Sequence, residues 1–185
     1  MRRKLTTENI SYAALGIALM AVCSWLSIPL TVPFTLQTFA VCLVSALLGM
    51  HLGLLSVGSY ILLGLLGAPV FSGFRGGFAV LLGATGGYII GFLFTVLIVG
   101  MAAEYFGRKL PVLLISMAAG ILVCYTFGTI WFMTIYAKSS SGAVGIMTAL
   151  GWCVFPYLLP DAIKIVLAAF LTLRLYPILQ RKRGS

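Results

Sequence analysis

The stretch "LLPDAIKIVLAAF", residues 158–170, places Asp161 and Lys164 inside an otherwise apolar run. A charge at the centre of a bilayer costs roughly 2.5–3.5 kcal/mol on insertion scales. The position of the helix start therefore decides what the two charges can do. Pro156 and Pro160 each disfavour a helix interior, because proline lacks an N–H and its ring meets the carbonyl four residues back. Proline is at ease in the first helical position. The last helix is thus expected to start near Pro160 and run to Tyr176, about 25 Å at 1.5 Å per residue. Asp161 would then sit in the first turn, where the helix dipole favours a carboxylate.

Composition makes the membrane setting general. The 185 residues are 62% apolar and only 8% charged, against about 25% charged in ordinary soluble domains. Mean hydropathy is +1.15. A soluble fold of this size could not cover its surface with so few charges. The net charge of +9 would suit nucleic acid, but the basic residues sit at the ends of apolar runs, as in membrane proteins. No nucleic-acid partner is expected; membrane lipid is.

Breakers and charges divide the chain into six expected transmembrane helices, at 10–28, 36–48, 54–66, 88–103, 111–136 and 160–176. Residues 67–87 hold seven glycines, too many for one continuous helix. They are expected to form a structured outer loop. A short outer helix is expected near 145–155. The whole chain is one all-α membrane domain. With the N-terminus inside, Arg2, Arg3, Lys4, Arg108, Lys109, Arg174, Arg181, Lys182 and Arg183 fall on the cytoplasmic side, and only Arg75 and Lys138 outside. Nine against two favours cytoplasmic termini at both ends.

Several activities find no residues to support them. There is no G-x-x-x-x-G-K-[ST] phosphate loop. The only histidine, His51, falls at a predicted turn, and the acids are Glu8, Glu104 and Asp161 alone. Cys23, Cys42, Cys124 and Cys153 show no CxxC spacing and are expected to be buried apolar packing. No enzyme, no metal site and no cofactor is expected.

The chemistry that remains is a binding site. Asp161 and Lys164 are three apart and share a helix face. They form either an internal salt bridge or a self-neutralised acceptor–donor pair for a small polar ligand. Arg75, in "SGFRGGF", is an outer cation flanked by Gly76 and Gly77, which allow close backbone approach. It suits an anionic ligand group or is a solvated loop charge. Gln37 could hydrogen-bond a ligand or cap the loop. Tyr88 opens the fourth span as a ligand contact or an interface aromatic. Ala14 and Ala18 permit close helix packing, internally or against another membrane subunit. Gly83, Gly87 and Gly91 share that spacing and are expected to pack internally.

The blocks "VPFTLQTFAV" (32–41), "LGLLGAPVFSGFRGGFAVLLGATGGYIIGF" (63–92) and "LLPDAIKIVLAA" (158–169) resemble the BioY family, the biotin-specific substrate-binding components of energy-coupling factor transporters. The similarity spans nearly the whole chain. It implies a six-helix protein in the plasma membrane of a bacterium. Such a protein would bind biotin from outside and dock onto a transmembrane coupling subunit carrying two ATPases. It implies that Asp161 and Lys164 are the polar pair of the last helix and that Ala14 and Ala18 form the docking motif. The rival readings are a stand-alone secondary carrier for a small polar solute or another vitamin, and a structural membrane protein that binds no ligand.

Overall fold

The structure is a computed structural model describing residues 6–30, 32–139 and 145–183. Arg2, Arg3 and Lys4 lie outside the described residues, as do the side chains of Lys138, Arg181, Lys182 and Arg183.

Helix α1 (Thr7–Trp25) begins where Thr6 accepts the Asn9 N–H through its hydroxyl, 3.3 Å away. It starts earlier than the expected Ile10 and ends at Trp25, short of the expected Ile28. Strands β1 (Ser27–Ile28) and β2 (Phe34–Thr35) then form a small antiparallel ribbon. This ribbon interrupts a chain that is otherwise mostly helical, as expected of an all-α domain. It lies where Pro29 and Pro33 deny the backbone helical bonds. Helices α2 (Gln37–Leu65), α3 (Phe78–Leu82), α4 (Gly86–Tyr105), α5 (Leu110–Ser139), α6 (Ile146–Cys153) and α7 (Phe155–Arg183) follow.

Helix α2 is two helices joined at a kink. Gly49 has φ 78° and ψ −175°, a conformation that excludes most side chains. The loose backbone groups at the kink are taken up by two charged side chains. The Met50 N–H donates to Oε1 of Glu104 at 3.1 Å. Nε of Arg108 donates to the Ala46 carbonyl at 2.7 Å, and its guanidinium stacks 3.7 Å above the Tyr176 ring. Each half-helix end thus has the charge its dipole favours. This capping lets the second half resume at Met50, four residues before the expected Leu54.

The start expected for the last helix is also corrected. Helix α7 begins at Phe155, not Pro160, and extends past Tyr176. Pro156 occupies the first turn, where N–H groups have no helical acceptor. Pro160 removes a single intrahelical bond, and the helix continues through it. Asp161 is consequently not in the first turn, and its charge is met by side chains instead. The glycine-rich segment 67–87 is not wholly loop either. It contains α3 and the first two residues of α4.

Helix α2 packs against α1, α4 and α7, and α5 packs against α4 and α7. The α4–α5 seam is close because Gly87 lies under Trp131 and Gly91 under Cys124; a Cβ at either would fall 2.3 Å and 2.8 Å from those side chains. Large apolar side chains face outward, with Ile115 71% and Leu167 53% exposed, an arrangement suited to lipid rather than water. Gln37–Leu65, Gly86–Tyr105, Leu110–Ala137 and Phe155–Gln180 are each long and apolar enough to cross a membrane.

Candidate functional site

The site is built where the N-terminal part of α7 meets the N-terminal end of α2. Asp161 and Lys164 are 4% and 5% exposed, although they belong to residue types seldom fully buried. Nζ of Lys164 lies 2.7 Å from Oδ1 of Asp161. The spacing of three residues puts both on the face of α7 that meets α2.

Partners from the ribbon, α2 and α5 complete the cluster. Lys164 donates to the Thr35 carbonyl at 2.6 Å and reaches Oγ1 of Thr38 at 3.3 Å. It also stands 4.1 Å from the centre of the Phe34 ring. Thr38 donates to Oδ1 of Asp161 at 3.0 Å, and the Tyr125 hydroxyl donates to Oδ2. An ionised carboxylate offers about four lone-pair positions. Among the described residues, Oδ1 is engaged by Thr38 and Lys164, and Oδ2 by Tyr125. One acceptor position on Oδ2 remains among the described residues, beside a lysine whose third proton has the long Thr38 contact and the face of the Phe34 ring.

Around this cluster lies a pocket. Aromatic and apolar groups from α4, α5 and α7 line it, among them Tyr88, Phe92, Tyr125 and Tyr157. The glycine-rich segment contributes Phe71, Ser72 and Arg75 to the lining, and of these Arg75 is exposed. The chemistry is polar at the Asp161–Lys164 end, apolar along the walls and cationic at the rim. A small molecule with paired donors and acceptors at one end and an anionic group at the other would match it.

Among the candidate residues, the structure brings Asp161, Lys164, Gln37, Tyr88 and Arg75 to this one pocket. Gln37 is held on both sides: its Nε2 donates to the Tyr60 hydroxyl at 2.5 Å, and its Oε1 accepts from Thr35 at 3.2 Å. Tyr88 is bonded to Thr129 at 3.0 Å. Arg75 is exposed, with Nε on the Ser72 carbonyl at 3.2 Å.

Gly76 and Gly77 are not among the residues lining the pocket around Asp161. Both have local backbone reasons. A Cβ on Gly76 would fall 2.2 Å from the Ala68 carbonyl oxygen, and Gly77 has φ 92°. Ala14 and Ala18 lie outside the pocket, exposed on the outward face of α1, while Gly16 between them meets Val44 and Ser56. Sequence reasoning missed Thr38 and Tyr125. Thr38 directly follows Gln37, and Tyr125 is a hydroxyl-bearing residue deep in an apolar run; those were the available signals.

Comparison with known proteins places this architecture. Residues 1–181 match the model of the BioY family. A protein of Thermotoga maritima described as biotin transporter BioY is 40% identical over 88% of this chain and 92% of its own length. A probable biotin transporter BioY of Pyrococcus horikoshii is 37% identical over 92% of this chain and 98% of its own. Among solved structures, the S-component for biotin from an ECF-type ABC transporter superposes with a TM-score of 0.81 at 28% identity, covering 93% of this chain and 94% of that one. These relatives are transporters, not enzymes. By the extent of the family match and the full-length likeness to its members, this chain belongs to the BioY family.

Proposed function

We propose that the chain captures biotin in the pocket between α2, α5 and α7, as the substrate-binding component of an energy-coupling factor transporter. The observation that carries this is the buried Asp161–Lys164 pair. It keeps one carboxylate acceptor position and one weakly engaged ammonium proton at the polar end of an apolar pocket. A cyclic urea presents an N–H donor beside a carbonyl acceptor, the complement of that pair. The ureido head then lies at Asp161 and Lys164. The valerate runs along the apolar wall, and its carboxylate meets Arg75 at the rim.

The energetic partners are other chains. A transmembrane coupling subunit carrying two ATPases would dock on the Ala14–Ala18 face, which is exposed and small enough for close helix approach. The chain crosses a bacterial plasma membrane six times, counting α1, the two halves of α2, α4, α5 and α7, with both termini cytoplasmic. Arg108, Lys109 and Arg174 at one end, against Arg75 at the other, support that orientation.

Competition against radiolabelled biotin tests the pose. Diaminobiotin, which lacks the ureido carbonyl, should compete at least tenfold less well than biotin, about 1.4 kcal/mol. Biotin methyl ester should become insensitive to Arg75→Ala. Equal competition by diaminobiotin would sink the head-first orientation. Uptake that collapses with the proton gradient and needs no ATPase would favour a secondary carrier instead.

A further inference from the structure

The glycine-rich segment is fastened to the rest of the protein at several points, and two of them hold its 69–75 turn. Phe71 is the core anchor. It is 1% exposed, edge-on to Tyr60 at 5.5 Å, and seated where Gly64 leaves room. The second fastening is on α1. The indole N–H of Trp25 donates to the Pro69 carbonyl at 2.8 Å, and its ring stacks on Phe74 at 4.9 Å and 22°. Beside it, Ser24 and Tyr60 both reach the Val70 carbonyl, at 2.5 and 2.8 Å.

Phe74 is the anomaly of this segment. It is the one described non-glycine residue with positive φ, 56°, and it is 63% exposed. A bulky side chain adopts that backbone conformation only where its surroundings hold it. The neighbour that holds the ring is Trp25. Within the same turn, the Phe71 N–H bonds the Arg75 carbonyl at 2.9 Å, so the turn that strains Phe74 is the one that aims Ser72 and Arg75 at the pocket.

We infer that Trp25 is a positioning residue for ligand capture, a latch that holds the strained 69–75 turn closed over the pocket. The inference rests on the proposed biotin site. Trp25 does not line the pocket itself and acts through Phe74 and Pro69. Because Phe71 anchors the segment independently, losing the latch frees the turn without unfolding the core. The latch lies about 10 Å along α1 from Ala18, at 1.5 Å per residue. One rigid helix therefore carries both the exposed alanine face and the lid's fastening.

The test is a chase experiment with limited proteolysis alongside. Purified protein is loaded with tritiated biotin and diluted into excess unlabelled biotin. Trp25→Phe keeps the ring stack and drops the N–H; Trp25→Ala drops both. Dissociation should quicken about threefold in the first and at least tenfold in the second, with association rates changed little. Trypsin should cut after Arg75 faster in the same order. Wild-type dissociation and wild-type cleavage in both variants would overturn the latch, as would a smaller binding-competent fraction that releases biotin at the wild-type rate. If Trp25→Ala does not fold, Trp25→Phe decides. If the wild type holds no biotin, the proposed function fails, and the cleavage arm still judges the latch.

Discussion

Tyr125 of α5 donates its hydroxyl hydrogen bond to Oδ2 of Asp161 on α7, on the side of the carboxylate away from Lys164 and Thr38. Three elements therefore converge on one buried carboxylate. Its orientation is set by α2 through Thr38, by α5 through Tyr125 and by α7 itself. A ligand that bonds Asp161 meets a group whose rotation is already restricted, which lowers the ordering cost of binding.

Tyr125→Phe removes one bond to a buried charge, worth about 1.5–3 kcal/mol. The variant should fold, melt several degrees lower at roughly 2–4 °C per kcal/mol, and bind biotin more weakly. Thermal unfolding in detergent together with a binding titration checks this. An unchanged melting temperature would mean that the hydroxyl bond contributes nothing.

The Asp161–Lys164 pair separates structural from binding roles through a double-mutant comparison. Asp161→Asn or Lys164→Met alone leaves a buried charge short of its partner, a loss of about 3–5 kcal/mol. Replacing both should restore much of the stability, because no unpaired charge is left. It should not restore biotin binding. Recovery of binding along with stability would make the pair purely structural.

The stretch 158–170 shows what sequence reveals about such a site and what it leaves out. The pairing of Asp161 with Lys164 follows from their spacing, because side chains three apart on a helix are neighbours. The helix start does not follow from the prolines. A proline in the first turn meets no helical acceptor, and one missing bond at Pro160 is overridden once α7 packs against α2 and α5. Thr38 and Tyr125 were illegible for a different reason. Each is a hydroxyl in an apolar run, and only the meeting of three helices shows that both aim at one carboxylate. Ala14 and Ala18 were spaced for either internal or external packing; the burial of Gly16 assigns the inward face and leaves the alanines outward.

The kink in α2 gives a paired glycine prediction. Gly49→Ala meets both a positive φ and the Glu104 carboxylate, 2.1 Å from an added Cβ. It should destabilise by more than 1 kcal/mol, roughly. Gly58→Ala meets nothing within 4 Å and should stabilise by about 0.4–1 kcal/mol through the unfolded chain. Melting temperatures of the two variants should move in opposite directions.

The outward face of α1 gives another contrast. Ala14→Trp adds bulk on an exposed face and should prevent capture of the coupling subunit while leaving biotin affinity within about twofold. Gly16→Leu should damage the fold itself, since a Cβ there already lies 3.2 Å from Val44. Co-purification of the coupling subunit, read beside biotin binding, checks both. Retained capture by Ala14→Trp would remove this face from the docking surface.

The most direct test is equilibrium titration of the purified, folded protein with biotin. The wild type should bind saturably. Asp161→Asn and Lys164→Met should each weaken binding by at least tenfold, about 1.4 kcal/mol. Absence of saturable binding by folded wild-type protein, or wild-type affinity in both variants, would contradict the assignment of this pocket to biotin.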